Sequence, residues 1–152
     1  MKLYLVQHGE AVSKDINPDR PLAEKGKEDI DKLAGFLKSN ETNISNVFHS
    51  GKARALQTAE IFANTLGDIK VEILEGIAPN DPVDSLAAKI TQLENNTMIV
   101  GHLPFMAKFI SYLVMGDEEK IIVDYQPGSV ICIEQDESNS WKIRWMIRPD
   151  CF

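Results

Sequence analysis

An α/β domain with a largely parallel sheet is predicted by two features of the chain. Short apolar runs of strand length alternate with longer segments whose apolar residues recur at helical spacing, and the alternation repeats four times before the pattern changes. Such a series buries itself most readily as one sheet with helices on both faces, a three-layer α/β/α arrangement. The final segments differ: Ser129 to Gln135 and Trp141 to Ile147 flank the polar stretch DESNS, the signature of a hairpin and hence of an antiparallel edge.

The elements follow in order. Lys2 to Gln7 is the first strand, and Pro21 to Ser39 carries Leu22, Ile30, Leu33, Phe36 and Leu37 in helical phase. Asn46 to His49 is the second strand; Lys52 to Leu66 then sets Leu56, Ala59, Phe62, Ala63 and Leu66 in one stripe, with Gly67 as its stop. Val71 to Leu74 is the third strand. The helix after it runs through Leu93, with Asp81 expected as N-cap, Pro82 at its first position and Asp84 in its first turn. Thr97 to Gly101 is the fourth strand, and Pro104 opens an apolar helix that closes at Gly116. Residues 116 to 128 read as turn and loop.

Length and composition bound what such a domain does. At 152 residues the chain fits a single domain over residues 1 to 152, and 43% hydrophobic with 26% charged residues is the balance of an ordinary globular core. A formal net charge of -7 repels nucleic acid and anionic membrane, so an anionic substrate needs a local basic pocket. Such a pocket is compatible with an acidic surface because exposed charges are screened over about 8 Å. Cys132 and Cys151 have no CxxC or Cys/His spacing, which argues against a disulfide framework or zinc. With no leader-like or membrane-length apolar run, the expected location is the cytoplasm.

Ligands of open α/β sheets sit beyond the carboxyl ends of the strands. His8, Gly9 and Glu10 follow the first strand, Ser50, Lys52 and Arg54 the second, and Gly101 and His102 the fourth, so three junctions bring imidazole or cationic groups to one edge. Taken singly, each has a plainer reading, as a hydrogen-bonded structural histidine, a helix-surface arginine or a capping serine. Together they suit a phosphoryl group: a helix N-terminus and an arginine fork complement phosphate oxygens, one imidazole attacks phosphorus, and a second stabilises the charge that develops. His8, His49 and His102 as a metal triad are a weaker reading, since neither an HExxH motif nor a carboxylate cluster accompanies them and strand alternation turns His49 away.

The order of these motifs resembles the histidine phosphatase superfamily, the branch built on an R-H-G motif, and within it the short SixA-type phosphohistidine phosphatases. LVQHGEA carries the first motif at His8, Gly9, Glu10 and Ala11; SGKARALQT the second at Ser50, Arg54, Ala55, Gln57 and Thr58; VGHLP the third at His102. Trp145, Met146 and Pro149 match the short ending, so the resemblance spans essentially the whole chain. It implies a nucleophilic His8, Arg54 and His102 as catalytic partners, and Gln7, Gly9, Ser50 and Lys52 near the substrate, with no cofactor and no metal. The implied activity is removal of phosphate from phosphohistidine in a protein through a phosphorylated His8. A phosphomonoesterase for a small phosphorylated metabolite and a phosphate-binding module without catalysis are the alternatives. Pro79 to Asp84 and Gly116 to Ser129 are the only stretches available for a lid, and an open pocket favours a phosphorylated protein.

The chain departs from the pattern at two places. Gly51 stands where a proline is frequent, and Gln7 where the family has an arginine. Losing one charged hydrogen bond, worth about 1.5 to 3 kcal/mol, predicts a site weaker by roughly ten- to hundredfold unless another cation such as Lys52 substitutes. For the proton donor, which the short branch lacks in obvious form, the resemblance leaves Glu75 and Asp81 in the third junction as candidates.

Overall fold

The computed structural model describes residues 1–152. A six-stranded sheet runs in the order β3-β2-β4-β1-β5-β6. Its strands are β1 (Lys2–Gln7), β2 (Asn46–His49), β3 (Val71–Ile73), β4 (Thr97–Gly101), β5 (Val130–Gln135) and β6 (Trp141–Ile147). The first four in spatial order are mutually parallel, β5 lies antiparallel to β1, and β5 and β6 form the expected hairpin. The predicted α/β class and the antiparallel ending are both present.

Strand alternation divides the core between two faces of the sheet. Leu3, Leu5, Ile99, Ile131 and Ile133 pack against α3 (Val83–Lys89) and α4 (Phe105–Met115). Tyr4, Val6, Val47, Met98, Val100 and Cys132 pack against α1 (Glu24–Ser39) and α2 (Ala53–Gly67). Each face holds a cluster of 16 buried residues, so the central strands are apolar on both sides, as parallel strands between two helical layers must be.

Three expectations about helix ends are corrected. α1 begins at Glu24 rather than Pro21, because Leu22 forms a β-bridge with Ala11 and its N–H donates to Gln57 Oε1 at 2.7 Å. α3 stops at Lys89 and continues only as a 3-10 turn, Ile90–Gln92. Its N-cap is Pro82, not Asp81; the Asp81 carboxylate instead accepts the Ala78 N–H at 2.9 Å, closing the turn before the helix. No helix is long and apolar enough to cross a membrane.

The end of β1 is held from both sides. The His8 N–H donates to Gly101 O at 3.0 Å on the β4 side, while Gly128 N–H reaches Gln7 O at 3.0 Å and His8 O at 3.1 Å from the strap preceding β5. Gly26 lets α1 approach this corner, since a Cβ there would lie 2.1 Å from the Glu10 carbonyl oxygen. Backbone contacts of this kind fix where the side chain of His8 emerges.

Candidate active site

The parallel strands β1, β2 and β4 end together, and the residues that follow them face one cavity of about 370 Å³. Its wall comprises Gln7, His8, Glu10, Ala11, Arg20, Arg54, Pro79, His102, Leu103 and Pro127. The three residues expected to carry the chemistry, His8, Arg54 and His102, are thus brought together, and the two imidazole rings lie 5.0 Å apart between centroids.

His8 is oriented as a nucleophile would be. Its Nδ1 lies 2.7 Å from the Gly9 carbonyl oxygen, which accepts only, so the ring hydrogen sits on Nδ1 and the lone pair on Nε2. The Arg54 Nε–H donates to that Nε2 at 3.3 Å. Burial pushes the His8 imidazole down to about 4; the Gly9 bond opposes this, and the Arg54 and Arg20 charges add to it. Nε2 is consequently free of a proton at neutral pH.

Arg54 lies in the first turn of α2, and the residues one turn later explain the rest of its motif. Thr58 Oγ1 donates to Arg54 O at 2.8 Å and accepts the Gly9 N–H at 3.0 Å, while Gln57 Oε1 holds Leu22. Spacing of three and four places these groups on one side of the helix. Gln57 and Thr58 therefore lash α2 to the loop after β1, setting Arg54 against His8.

His102 is 1% exposed, and its Nε2 lies 2.6 Å from Ser50 Oγ. Its Nδ1 is buried without a partner. Burial, followed by the charges of His8, Arg54, Lys52 and Arg20, pushes this imidazole down to about 3. Gln7 is 8% exposed in the wall, and its Oε1 is likewise buried and unpartnered.

Several residues expected near the substrate are absent from the wall and do other work. Gly9 supplies the carbonyl that fixes His8, and Ser50 holds His102. Lys52 is exposed as the N-cap of α2. Glu75 is exposed in the turn after β3, and the Asp81 carboxylate is engaged by Ala78; neither borders the cavity. His49 turns away from His8 and His102, its Nδ1 accepting the Gly51 N–H at 3.0 Å, and no group of three or more His, Cys, Asp or Glu is placed to hold a metal ion.

Two charged wall residues, Arg20 and Glu10, lie outside the candidates that the chain offers for the chemistry. Arg20 returns to the cavity through the excursion between Ala11 and Leu22, held by its Nε–H donating to Val12 O at 3.1 Å. Glu10 contributes the only carboxylate in the wall. A bend that brings position 20 back over position 8 is a tertiary event, and the bridge between Ala11 and Leu22 leaves no periodic trace in so short a loop. For Glu10 the signal was present, since it stands two residues after His8.

The chain is similar to known proteins in both sequence and fold. The chain is 24% identical to the phosphohistidine phosphatase SixA of Escherichia coli (strain K12), over 98% of this chain and 94% of that one. The structure of a protein histidine phosphatase SixA complexed with tungstate superposes with a TM-score of 0.86 at 24% identity, covering 99% of each chain. An alpha-ribazole phosphatase from Shigella flexneri superposes at 0.80 with 17% identity, over 98% of this chain and 97% of that one. The family model of the histidine phosphatase superfamily (branch 1) matches residues 3–79, a span that takes in His8, Arg20 and Arg54, and the chain belongs to that superfamily.

Proposed function

We propose that this protein is a metal-independent phosphatase that takes the phosphoryl group of a phosphohistidine on another protein onto His8 and passes it to water. The observation that carries the reading is the held tautomer of His8: Nδ1–H is committed to Gly9 O, leaving the Nε2 lone pair beside Arg54 in a cavity that also holds Arg20 and His102. A nucleophile, two guanidinium groups and a second imidazole are what in-line phosphoryl transfer requires in the absence of a metal. The relation to the Escherichia coli phosphohistidine phosphatase supports the choice of substrate.

In the first step the Nε2 lone pair forms a bond to phosphorus as the bond to the leaving group breaks. Arg20, Arg54 and His102 offset charge on the equatorial oxygens, and the leaving nitrogen takes a proton. We assign that proton transfer to Glu10, the carboxylate in the wall, in place of Glu75 and Asp81. Water then attacks phosphorus, its proton passes to the Glu10 carboxylate, and the electron pair of the N–P bond returns to His8.

The test is a time course on a phosphohistidine-bearing protein beside a panel of phosphomonoesters, in chelator, with an acid-avoiding quench and mass spectrometry of the enzyme. Label on His8 and faster hydrolysis of the phosphohistidine protein are expected. Faster hydrolysis of small phosphomonoesters reassigns the substrate, whereas label elsewhere or undiminished hydrolysis by His8→Ala removes the mechanism. Phosphate binding with no turnover on any substrate identifies a binding module.

A further inference from the structure

The turn after β2 is shaped around one contact outside the cavity. Gly51 takes φ +93, in the left-handed region that proline's ring forbids, and its N–H is bonded to His49 Nδ1 at 3.0 Å. This turn directs Ser50 across to β4, whose residues are parallel neighbours of β2, so that Ser50 Oγ lies 2.6 Å from His102 Nε2. The Lys52 N–H approaches the same oxygen at 3.4 Å and opposes its rotation away. The glycine at position 51 is therefore part of the site's construction.

His102 has no other side-chain anchor. Its backbone carbonyl accepts the Met106 N–H at 2.9 Å, and the preceding Gly101 packs so closely that a Cβ would lie 2.5 Å from Met106 Cε, which places the Cα but gives the ring nitrogens no partner. Its Nδ1 has no partner, so the Ser50 hydroxyl is the one polar side-chain group bonded to the ring, and that bond favours the orientation seen here. Ser50 itself is not in the cavity wall, whereas His102 is.

We infer that Ser50 is a positioning residue for phosphoryl transfer: its hydroxyl holds His102 at Nε2, fixing the ring's orientation relative to His8, without touching the phosphoryl group. The inference rests on the proposed role of His102 in that reaction. It reassigns Ser50 from substrate contact to control of the second imidazole. A hydroxyl is suited to this task because it donates to a bare nitrogen or accepts from a protonated one, and so can stay bonded as the ring's charge changes.

The experiment compares Ser50→Ala and Ser50→Thr in wild-type and His102→Asn backgrounds, with phosphoramidate as donor in single turnovers and p-nitrophenyl phosphate in steady state. Ser50→Ala is expected to lower kcat by roughly ten- to hundredfold, the scale of a bond to a charged group, with KM nearly unchanged, and Ser50→Thr to restore most of it. In the His102→Asn background the loss from Ser50→Ala should vanish, because a residue acting through His102 has nothing left to act on. The His102 ring resonances should be narrow in the wild type and broadened by exchange between ring orientations in Ser50→Ala.

An equal loss in both backgrounds overturns the inference, since Ser50 would then contact substrate directly. So does a rise in KM alone, or a fall in activity that follows the melting temperature and is not rescued by threonine. A wild-type protein that turns over neither donor nor a phosphohistidine-bearing protein removes the proposed function and this role with it; an active wild type matched by Ser50→Ala removes this role alone.

Discussion

Lowering the pH from 7.5 to 5.5 should destabilise the free protein through His8 and His102. Both are buried bases, held at about 4 and about 3 against an ordinary 6.5. Between the folded and unfolded values the unfolded chain binds more protons than the native one, so stability is fully present above 6.5 and is lost as pH falls toward the folded values. Each group costs about 1.4 kcal/mol per pH unit over that interval, and pH 5.5 is one unit below 6.5, which makes roughly 3 kcal/mol for the two. Urea unfolding of the wild type and of the double variant His8→Gln, His102→Gln at both pH values isolates this contribution, because all other groups are common to the pair. The wild type should lose about 3 kcal/mol more than the variant. Phosphate or tungstate in the cavity supplies the opposite charge, so binding near pH 5.5 should take up protons, visible in calorimetry as a heat that depends on the buffer. Parallel stability curves for the two proteins, together with no proton uptake on binding, would refute the claim that these imidazoles are held neutral by burial.

The two guanidinium groups of the cavity should be separable. Arg54→Ala removes the contact at His8 Nε2 and is expected to cost ten- to hundredfold in kcat/KM, while Arg20→Ala weakens phosphate binding by a similar factor; both should leave the melting temperature nearly unchanged. A loss of stability in proportion to activity would make either residue structural. Glu10→Gln should slow hydrolysis of alkyl phosphates by at least tenfold and that of p-nitrophenyl phosphate very little, because a good leaving group needs no acid. An equal effect on both esters would remove Glu10 from proton transfer.

The parts of this molecule that were legible in the chain are those governed by local pattern. Alternation of strand and helix gave the parallel sheet, and residues directly following strands, His8 and His102, were placed correctly because the strand end fixes where the next side chain goes. Arg54 was legible for the same reason, one helix turn farther on. Leu22 was misread because an apolar residue in helical phase also suits a β-bridge, and only the approach of Ala11 decides between them. Asp81 followed the capping rule as a residue type, but the Ala78 N–H competes for its carboxylate and wins. Arg20 escaped notice since nothing in residues 12 to 21 reveals that the chain turns back toward the end of β1.

Arg20 changes what the glutamine at position 7 means. From the chain alone, Gln7 reads as a missing charge, and Gln7→Arg as a repair worth about 1.5 to 3 kcal/mol. In the structure the cavity already holds Arg20 and Arg54 beside two imidazoles pushed far down by burial and by those charges. Gln7 is 8% exposed, so a third guanidinium would enter nearly dry surroundings next to two like charges. The desolvation cost is carried by the empty and the occupied protein alike, so it lowers stability without entering kcat/KM, and with Arg20 and Arg54 already in the wall a third guanidinium adds little to the charge that meets a phosphoryl dianion. The expected outcome of Gln7→Arg is a lower melting temperature without ligand, an upward shift on adding phosphate or tungstate close to that of the wild type, and a change in kcat/KM of less than about tenfold. Arg20→Ala in the same chain should reverse the balance, because the new arginine then replaces a charge rather than adding one. A gain near a hundredfold from Gln7→Arg with the melting temperature intact would mean that Arg20 does not serve the phosphoryl group, and that the cavity does lack a cation.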